Sequence, residues 1–213
     1  MTHFFKLITA TVLFMQYNSS PLLFNQKNHT MNMNGSSVDT VQTITITKVE
    51  TPWYATRNMI IKRFEAAIPD YEKIPGLNAK SFSLSSSGSY FGGIYYWNSK
   101  QTAEAWFNPG WFETVKKKYK SPGEVLYYTV TGEEIVVQAL TGKEKYWTVV
   151  SIGQKEINTA AQGLIKVSFV KNEKGSEGHI SLWKTEEDAR AYYHNSLSAN
   201  EFFDTPVLLV HGK

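Results

Sequence analysis

The chain has no cysteine. That excludes disulfides, thiolate nucleophiles, cysteine-held metal centres and a lipid anchor on an N-terminal cysteine. A large excess of charge of one sign is also missing: the formal net charge is only +3, so the composition makes no general electrostatic case for nucleic acid. The one basic cluster, "VKKKYK" from Val115 to Lys120, reads as a solvated helix face. The five histidines, His3, His29, His179, His194 and His211, show no metal-ligand spacing, so no metal site is expected. A phosphate-cradling loop is missing too. The glycines of "GSYFGG", Gly88 to Gly93, have neither the lysine nor the following helix that such a loop requires, and they read as a hairpin connection.

Long hydrophobic runs are absent in the sense that matters for a membrane. The apolar run from Leu7 to Met15 is too short to span a bilayer, so no integral membrane span is expected in the mature protein. It fits the apolar centre of a secretory signal, although only one lysine precedes it and no clear Ala-x-Ala site follows. Residues 17–40 are rich in Asn and Ser and read as a linker. Two readings stay open. Either the protein is exported, to a periplasm or outside the cell, or it is cytoplasmic with its true start at Met31 or Met33. In both cases residues 1–40 stand apart from the fold.

What the chain does have is aromatic and apolar content, 14% and 42%, enough for a substantial core. It also has a repeat. Gly76-Leu77, Ser81-Phe82 and Gly88-Ser89 recur 87 residues later as Gly163-Leu164, Ser168-Phe169 and Gly175-Ser176. Gly92, Ile94, Trp97, Ala103 and Ala105 recur at an offset of 86 as Gly178, Ile180, Trp183, Ala189 and Ala191. That makes 11 identities in the 32 positions from Gly76 to Phe107. "EVLYYTVTG" resembles "PVLLVHG" at an offset of 82. Matches kept in order through three elements argue for internal duplication.

Local patterns give each unit its elements. "TITITKV", Thr43 to Val49, alternates as a half-buried strand does. Thr51-Pro52 is expected to open a helix carrying Ile60, Ile61, Phe64 and Ala67-Ile68, and Pro69 to end it. "GLNAKSFSL" and "GGIYYW" read as strands. Ser99 caps a helix through Phe107, Asn108-Pro109 restarts one, and "GEVLYYTV" closes the unit as a strand. Strand, helix, strand, strand, helix, strand is the ferredoxin-like order. The second unit, residues 144–213, repeats it with losses. Its first strand is "YWTVVSI", its first helix is shrunken or missing, and "TEED" at Thr185 to Asp188 is a capping box. Its shortened second helix gives way to "SLSANEFF" before "PVLLV" closes the unit. The first unit spans residues 41–135. The expected class is α+β: two tandem ferredoxin-like units, the second eroded, forming an α/β barrel within one chain.

The stretch "IPGLNAKSF…GGIYYWNSKQTAEAWF" resembles the antibiotic-biosynthesis monooxygenase-like dimeric α/β-barrel superfamily, closest to the small monooxygenase-like members with a "GGIY" third strand. The resemblance covers residues 41–131 well and 144–213 mainly through the repeat. It implies two sheets paired face to face, here as an internal pseudo-dimer, hence a monomer. Haem-degrading members carry a tryptophan where this chain has Trp106, an iron-ligating histidine where it has Lys116, and a first-strand asparagine that falls near Gln42. Lysine is a poor iron ligand at neutral pH, so no cofactor is expected. Cofactor-free relatives oxidise electron-rich aromatics using a base and pocket Asn, Trp, Tyr, His or Arg residues.

Alternation places Ile94 and Tyr96 on one face of the third strand and Gly93, Tyr95 and Trp97 on the other. The first face is expected to pack on the helices and the second to line a cavity. Trp97 and Trp183 serve equally well as packing anchors. Trp106 reads either as a catalytic pocket residue or as helix packing. His179 is the one histidine expected to point from a strand into the space between units, as a base or as a structural histidine. The expected ligand wall is Tyr95, Trp97, Phe107 and Trp111, with Lys80 or Tyr119 as polar contacts, between the first unit's sheet and its second helix.

Two functions compete. One is a cofactor-independent monooxygenase or related enzyme acting on a small aromatic or apolar molecule. The other is a non-catalytic small-ligand-binding or stress-response module of the same fold.

Overall fold

A computed structural model describes residues 42–136, 144–194, 196 and 199–210. The signal-like segment and linker, with the export reading that rests on them, lie outside the described residues, as do His3, His29 and His211. The elements run β1 (Thr43–Glu50), α1 (Arg57–Tyr71), β2 (Leu77–Ser85), β3 (Tyr90–Trp97), α2 (Lys100–Trp106), α3 (Pro109–Tyr119) and β4 (Glu124–Ile135). They continue with β5 (Tyr146–Ile152), β6 (Leu164–Asn172), β7 (Glu177–Trp183), α4 (Glu186–Tyr192) and β8 (Glu201–Val210).

All eight strands pair antiparallel and close one barrel in the order β1-β3-β2-β8-β5-β7-β6-β4. Within it, β4-β1-β3-β2 and β8-β5-β7-β6 are the same ferredoxin-type order twice over. The last strand of each set pairs with the second strand of the other, β8 on β2 and β4 on β6. A sheet with helices on one face leaves its other face apolar. Here each set covers the other.

An eight-stranded barrel is just wide enough to be filled by its own side chains. Ile44, Ile46, Ile94, Val150, Val170, Ile180, Tyr128 and Phe203 form that filling. Small hydroxyls complete it: Thr205 Oγ1 lies 3.0 Å from Thr148 Oγ1 and 3.5 Å from Ser83 Oγ. Lys48 of β1 and Glu201 of β8 form an ion pair at 2.6 Å, and Lys166 of β6 pairs with Glu133 of β4 at 2.7 Å, tying the two sets of strands together.

This filling reverses the expected faces. The Ile94–Tyr96 face points into the barrel, and the Tyr95–Trp97 face lies under the helices with Leu77, Ala103 and Phe107. Alternation separates two faces but does not say which one meets a helix. Width decides: the interior is filled mainly by β-branched and small side chains with Tyr96, Tyr128 and Phe203 among them, and the stacked Tyr95 and Trp97 rings take the outer surface. His179 shares the outer face with Trp183, so it does not enter the space between the units.

Element boundaries differ in three places. Helix α1 starts not at Thr51-Pro52 but after Thr56, whose Oγ1 accepts from the Met59 N–H at 3.3 Å. Residues 52–55 instead form a turn closed by Ala55 N–H to Pro52 C=O at 2.8 Å. Pro69 does not stop α1, which continues to Tyr71. A proline in the last turn forfeits one hydrogen bond near an end where bonding is already running out, at less cost than in mid-helix. Finally, "EFF" belongs to β8, because Phe203 is needed as a rung of the barrel core. The other caps fall at Ser99, Asn108 and Thr185, as the sequence indicated. Residues 153–163, between β5 and β6, contain no helix.

Candidate functional site

Strand β2 alternates Lys80, Phe82 and Leu84 outward with Ser81 and Ser83 inward, through the register Lys80↔Tyr95 and Phe82↔Gly93. A lysine thereby points from a central strand into the layer between sheet and helices, where it is 2% exposed. Its stem crosses β3 at Gly93: a Cβ there would come within 2.7 Å of Lys80 Cε. The missing side chain at Gly93 is what makes room for the lysine.

The Lys80 Nζ lies 3.2 Å from the ring centroid of Tyr71, 3.9 Å from that of Phe82 and 4.4 Å from that of Tyr95. No carboxylate among the described residues forms an ion pair with it. A ring face attracts an ammonium by roughly 0.5–2 kcal/mol. Burying the charge costs several kcal/mol even after relaxation. Desolvation wins, and burial holds the Lys80 amine well below the usual lysine range. Burial likewise raises the phenols of Tyr95 and Tyr71, and the two hydroxyls interact. Burial thus weakens the hold of Lys80 on its proton and strengthens that of the two phenols beside it.

This amine faces a cavity of about 180 Å³ between the sheet, α1 and α3. Ile60, Phe64, Ala67 and Tyr71 come from α1, Trp111, Val115 and Tyr119 from α3, and Thr47, Val49, Phe82, Phe91 and Tyr95 from the strands. Exposed Arg63 and Lys118 stand at its rim. A mainly apolar cavity with one buried ionisable group is the usual form of a small-molecule site.

Of the residues singled out in the sequence, Lys80, Tyr95, Trp111 and Tyr119 meet at this cavity. Trp97 and Phe107 pack behind it: Tyr95 stacks on Trp97 at 5.8 Å, and Phe107 meets Tyr95 edge-on at 5.2 Å. Trp106 packs on Tyr71 with ring centroids 6.0 Å apart, outside the lining, and its buried indole N–H has no hydrogen-bond partner among the described residues. Lys116 is exposed on α3, and neither it nor Gln42 lines the cavity. Sequence reasoning passed over Tyr71 and α1's share of the wall. The signal for them was the apolar spacing from Ile60 to Tyr71, read only as core.

His179 lies elsewhere, on β7, fully buried. Its Nδ1 is 3.0 Å from the Gln154 carbonyl oxygen and its Nε2 2.7 Å from the Tyr193 hydroxyl. The Tyr193 hydroxyl is also 3.1 Å from Ser181 Oγ, which accepts from the Trp183 indole N–H at 2.8 Å. The chain Gln154–His179–Tyr193–Ser181–Trp183 satisfies each of its members. Burial lowers the His179 pKa, so the ring is neutral. The two half-barrels differ here. At the offsets of the repeat, Val167 stands for Lys80 and His179 for Gly93, and Phe169 faces His179 across β6 and β7 as Phe82 faces Gly93.

A second depression, about 460 Å³, lies by Thr51, Leu84, Ser86 and Trp147. It is more open, and its Arg57 and Asp204 already pair with each other. Among the described residues no helix is long and apolar enough to cross a membrane.

The chain matches no protein-family model and no curated protein. Solved structures do match. One is an anthrone oxidase-like protein, 12% identical, with a TM-score of 0.54 over 83% of this chain and 95% of that one. Another is a candidate monooxygenase from Fusobacterium nucleatum, 9% identical, with a TM-score of 0.54 over 81% of this chain and 96% of that one. A third is a candidate monooxygenase from Lactobacillus acidophilus NCFM, 12% identical, with a TM-score of 0.55 over 81% of this chain and 97% of that one. Each match covers more of the chain than either half-barrel alone. The fold is that of monooxygenase-like α/β barrels, in agreement with the resemblance carried by "GGIYYW" and its neighbours.

Proposed function

We propose that the chain is a cofactor-independent oxygenase of small electron-rich aromatics, with Lys80 as its base. The observation that supports this reading best is the fully enclosed amine facing an aromatic-lined cavity. A lysine whose pKa burial has lowered spends more of its time without a proton than a surface lysine does, and in that form it can take one from a phenol or an activated C–H. The ammonium so formed then balances the substrate anion, in a site where unpaired charge is costly.

Size narrows the substrate. A dry cavity of about 150 Å³ takes benzene. One of about 180 Å³ takes a single substituted ring. The anthrone oxidase-like structure has a name that speaks of a tricyclic compound, which here would protrude past Arg63 and Lys118. A monocyclic quinol fits within. Its oxidation needs no outside reductant: a quinol anion gives its electrons to dioxygen, one oxygen atom enters the ring, and the other leaves as water with a hydroxyquinone as product.

Steady-state oxygen uptake with a panel of quinols and anthrone-like compounds tests the reading. Uptake with monocyclic quinols, lost in Lys80→Met, is expected. Tight binding of those compounds with no uptake would instead favour a binding module, the alternative the sequence left open.

A further inference from the structure

We propose that Lys80 is also a nucleophile, which captures small aromatic aldehydes as imines in the cavity between the first half-barrel's sheet and helices α1 and α3. The geometry carries this. An amine attacks a carbonyl only through its free lone pair, and lysines become nucleophiles when apolar surroundings strip them of their proton. Lys80 is enclosed by the rings of Tyr71, Phe82 and Tyr95, and no carboxylate among the described residues pairs with it to hold a proton on it. The cavity beside it holds one ring.

The step balances without a cofactor. The Nζ lone pair forms a bond to the carbonyl carbon, and the carbonyl oxygen becomes the hydroxyl of a carbinolamine. That hydroxyl leaves as water, taking the two protons that were on nitrogen, and a C=N bond remains. The phenols of Tyr71 and Tyr95, kept protonated by burial, can hand a proton to the departing oxygen and recover it from nitrogen. No electron is gained or lost, and dioxygen takes no part. The inference therefore goes beyond the oxygenase reading, and either can fail while the other stands.

The second half-barrel supplies an internal contrast. At the matching site it has Val167 for the lysine and a hydrogen-bonded histidine where Gly93 leaves room, so it offers no amine. Capture belongs to the first half alone.

The test is anaerobic incubation of the full chain with benzaldehyde at pH 7, reduction with cyanoborohydride, and peptide mapping by mass spectrometry. One benzyl group on Lys80 is expected, formed on the order of tenfold or more faster than on any surface lysine, since those are almost wholly protonated at that pH. Benzyl alcohol, of similar size but without a carbonyl, should slow the reaction at Lys80 and leave the surface lysines unaffected. Lys80→Met should lose the fast phase and keep the slow one. Mapping the unaltered chain makes the test independent of whether that variant folds. Modification of surface lysines with Lys80 untouched, or modification of Lys80 at the surface rate, would overturn the proposal.

Discussion

The Nζ of Lys80 sits 3.2 Å from the ring centroid of Tyr71, and the lysine is buried beneath the wall of the cavity it lines. In the folded state the amine's pKa is lowered by burial; in the unfolded chain it returns to 10.5. The unfolded state then binds more protons than the folded one at every pH between those two values. Stability contributed by this group rises with pH across that window and is lowest below it. Lys80→Met should accordingly stabilise the protein near pH 7, by about 1–3 kcal/mol. The gain should shrink as pH approaches 10.5. Urea unfolding of both proteins at pH 7 and pH 10 checks this, and a gain that is the same at both values would contradict it.

His179 obeys the same sign at lower pH. Its folded pKa is depressed by burial, so the ring must stay neutral to keep its place between Gln154 and Tyr193. Below pH 6.5 the unfolded chain takes up a proton that the folded one refuses, and stability should fall as pH drops through that range. Tyr193→Phe removes the hydroxyl that joins His179 to Ser181 and should cost about 1–3 kcal/mol, since it strands a buried imidazole nitrogen. Thermal melts from pH 5 to 8 would show both effects.

Two glycines mark the places where a neighbouring strand comes too close for any side chain. A Cβ at Gly92 would collide with the Thr47 carbonyl oxygen, and one at Gly178 with the Ser151 carbonyl oxygen. Backbone cannot step aside as a side-chain end can. Gly92→Ala and Gly178→Ala should each cost about 2–4 kcal/mol. Gly88→Ala, with φ +73 and open space around it, should cost only about 1 kcal/mol from left-handed strain. Denaturant midpoints for the three variants would reveal the order.

Ligand binding should follow the cavity wall and not Trp106, the tryptophan that the family resemblance singles out. Trp111→Ala opens the wall itself and should weaken 4-nitrophenol binding by roughly tenfold. Trp106→Ala acts only through Tyr71 and should weaken it less. Calorimetry on the two folded variants decides, and the reverse order would remove the cavity from consideration.

A barrel closed within one chain has no unpaired strand edge to offer a partner. Sedimentation of the chain from residue 38 onward should give a monomer. An obligate dimer of swapped halves is the result that would exclude it.

Much of this was legible in the sequence. The alternation of "TITITKV", the caps at Ser99, Asn108 and Thr185, and the doubled "GG/GH-I-W" strands are local features, because side-chain direction and capping depend on residues within four positions of one another. Glycines at 76 and 163 could be matched before any fold was known; both prove to have φ +77, a conformation that other residues avoid. The ordered repeat indicated two like half-sheets and hence a barrel. Tertiary structure alone decided which face of each sheet turned inward, because that choice rests on barrel width and on the presence of α1, neither of which is a property of a strand. It sent Ile94 in and Trp97 out, and with them carried His179 out under the loop at Gln154. It also gave Lys80 its character. In the sequence Lys80 is one polar residue in an alternating strand. In the fold, the gap left by Gly93 on the next strand and the ring of Tyr71 on a helix nine residues earlier close around it and take away its water.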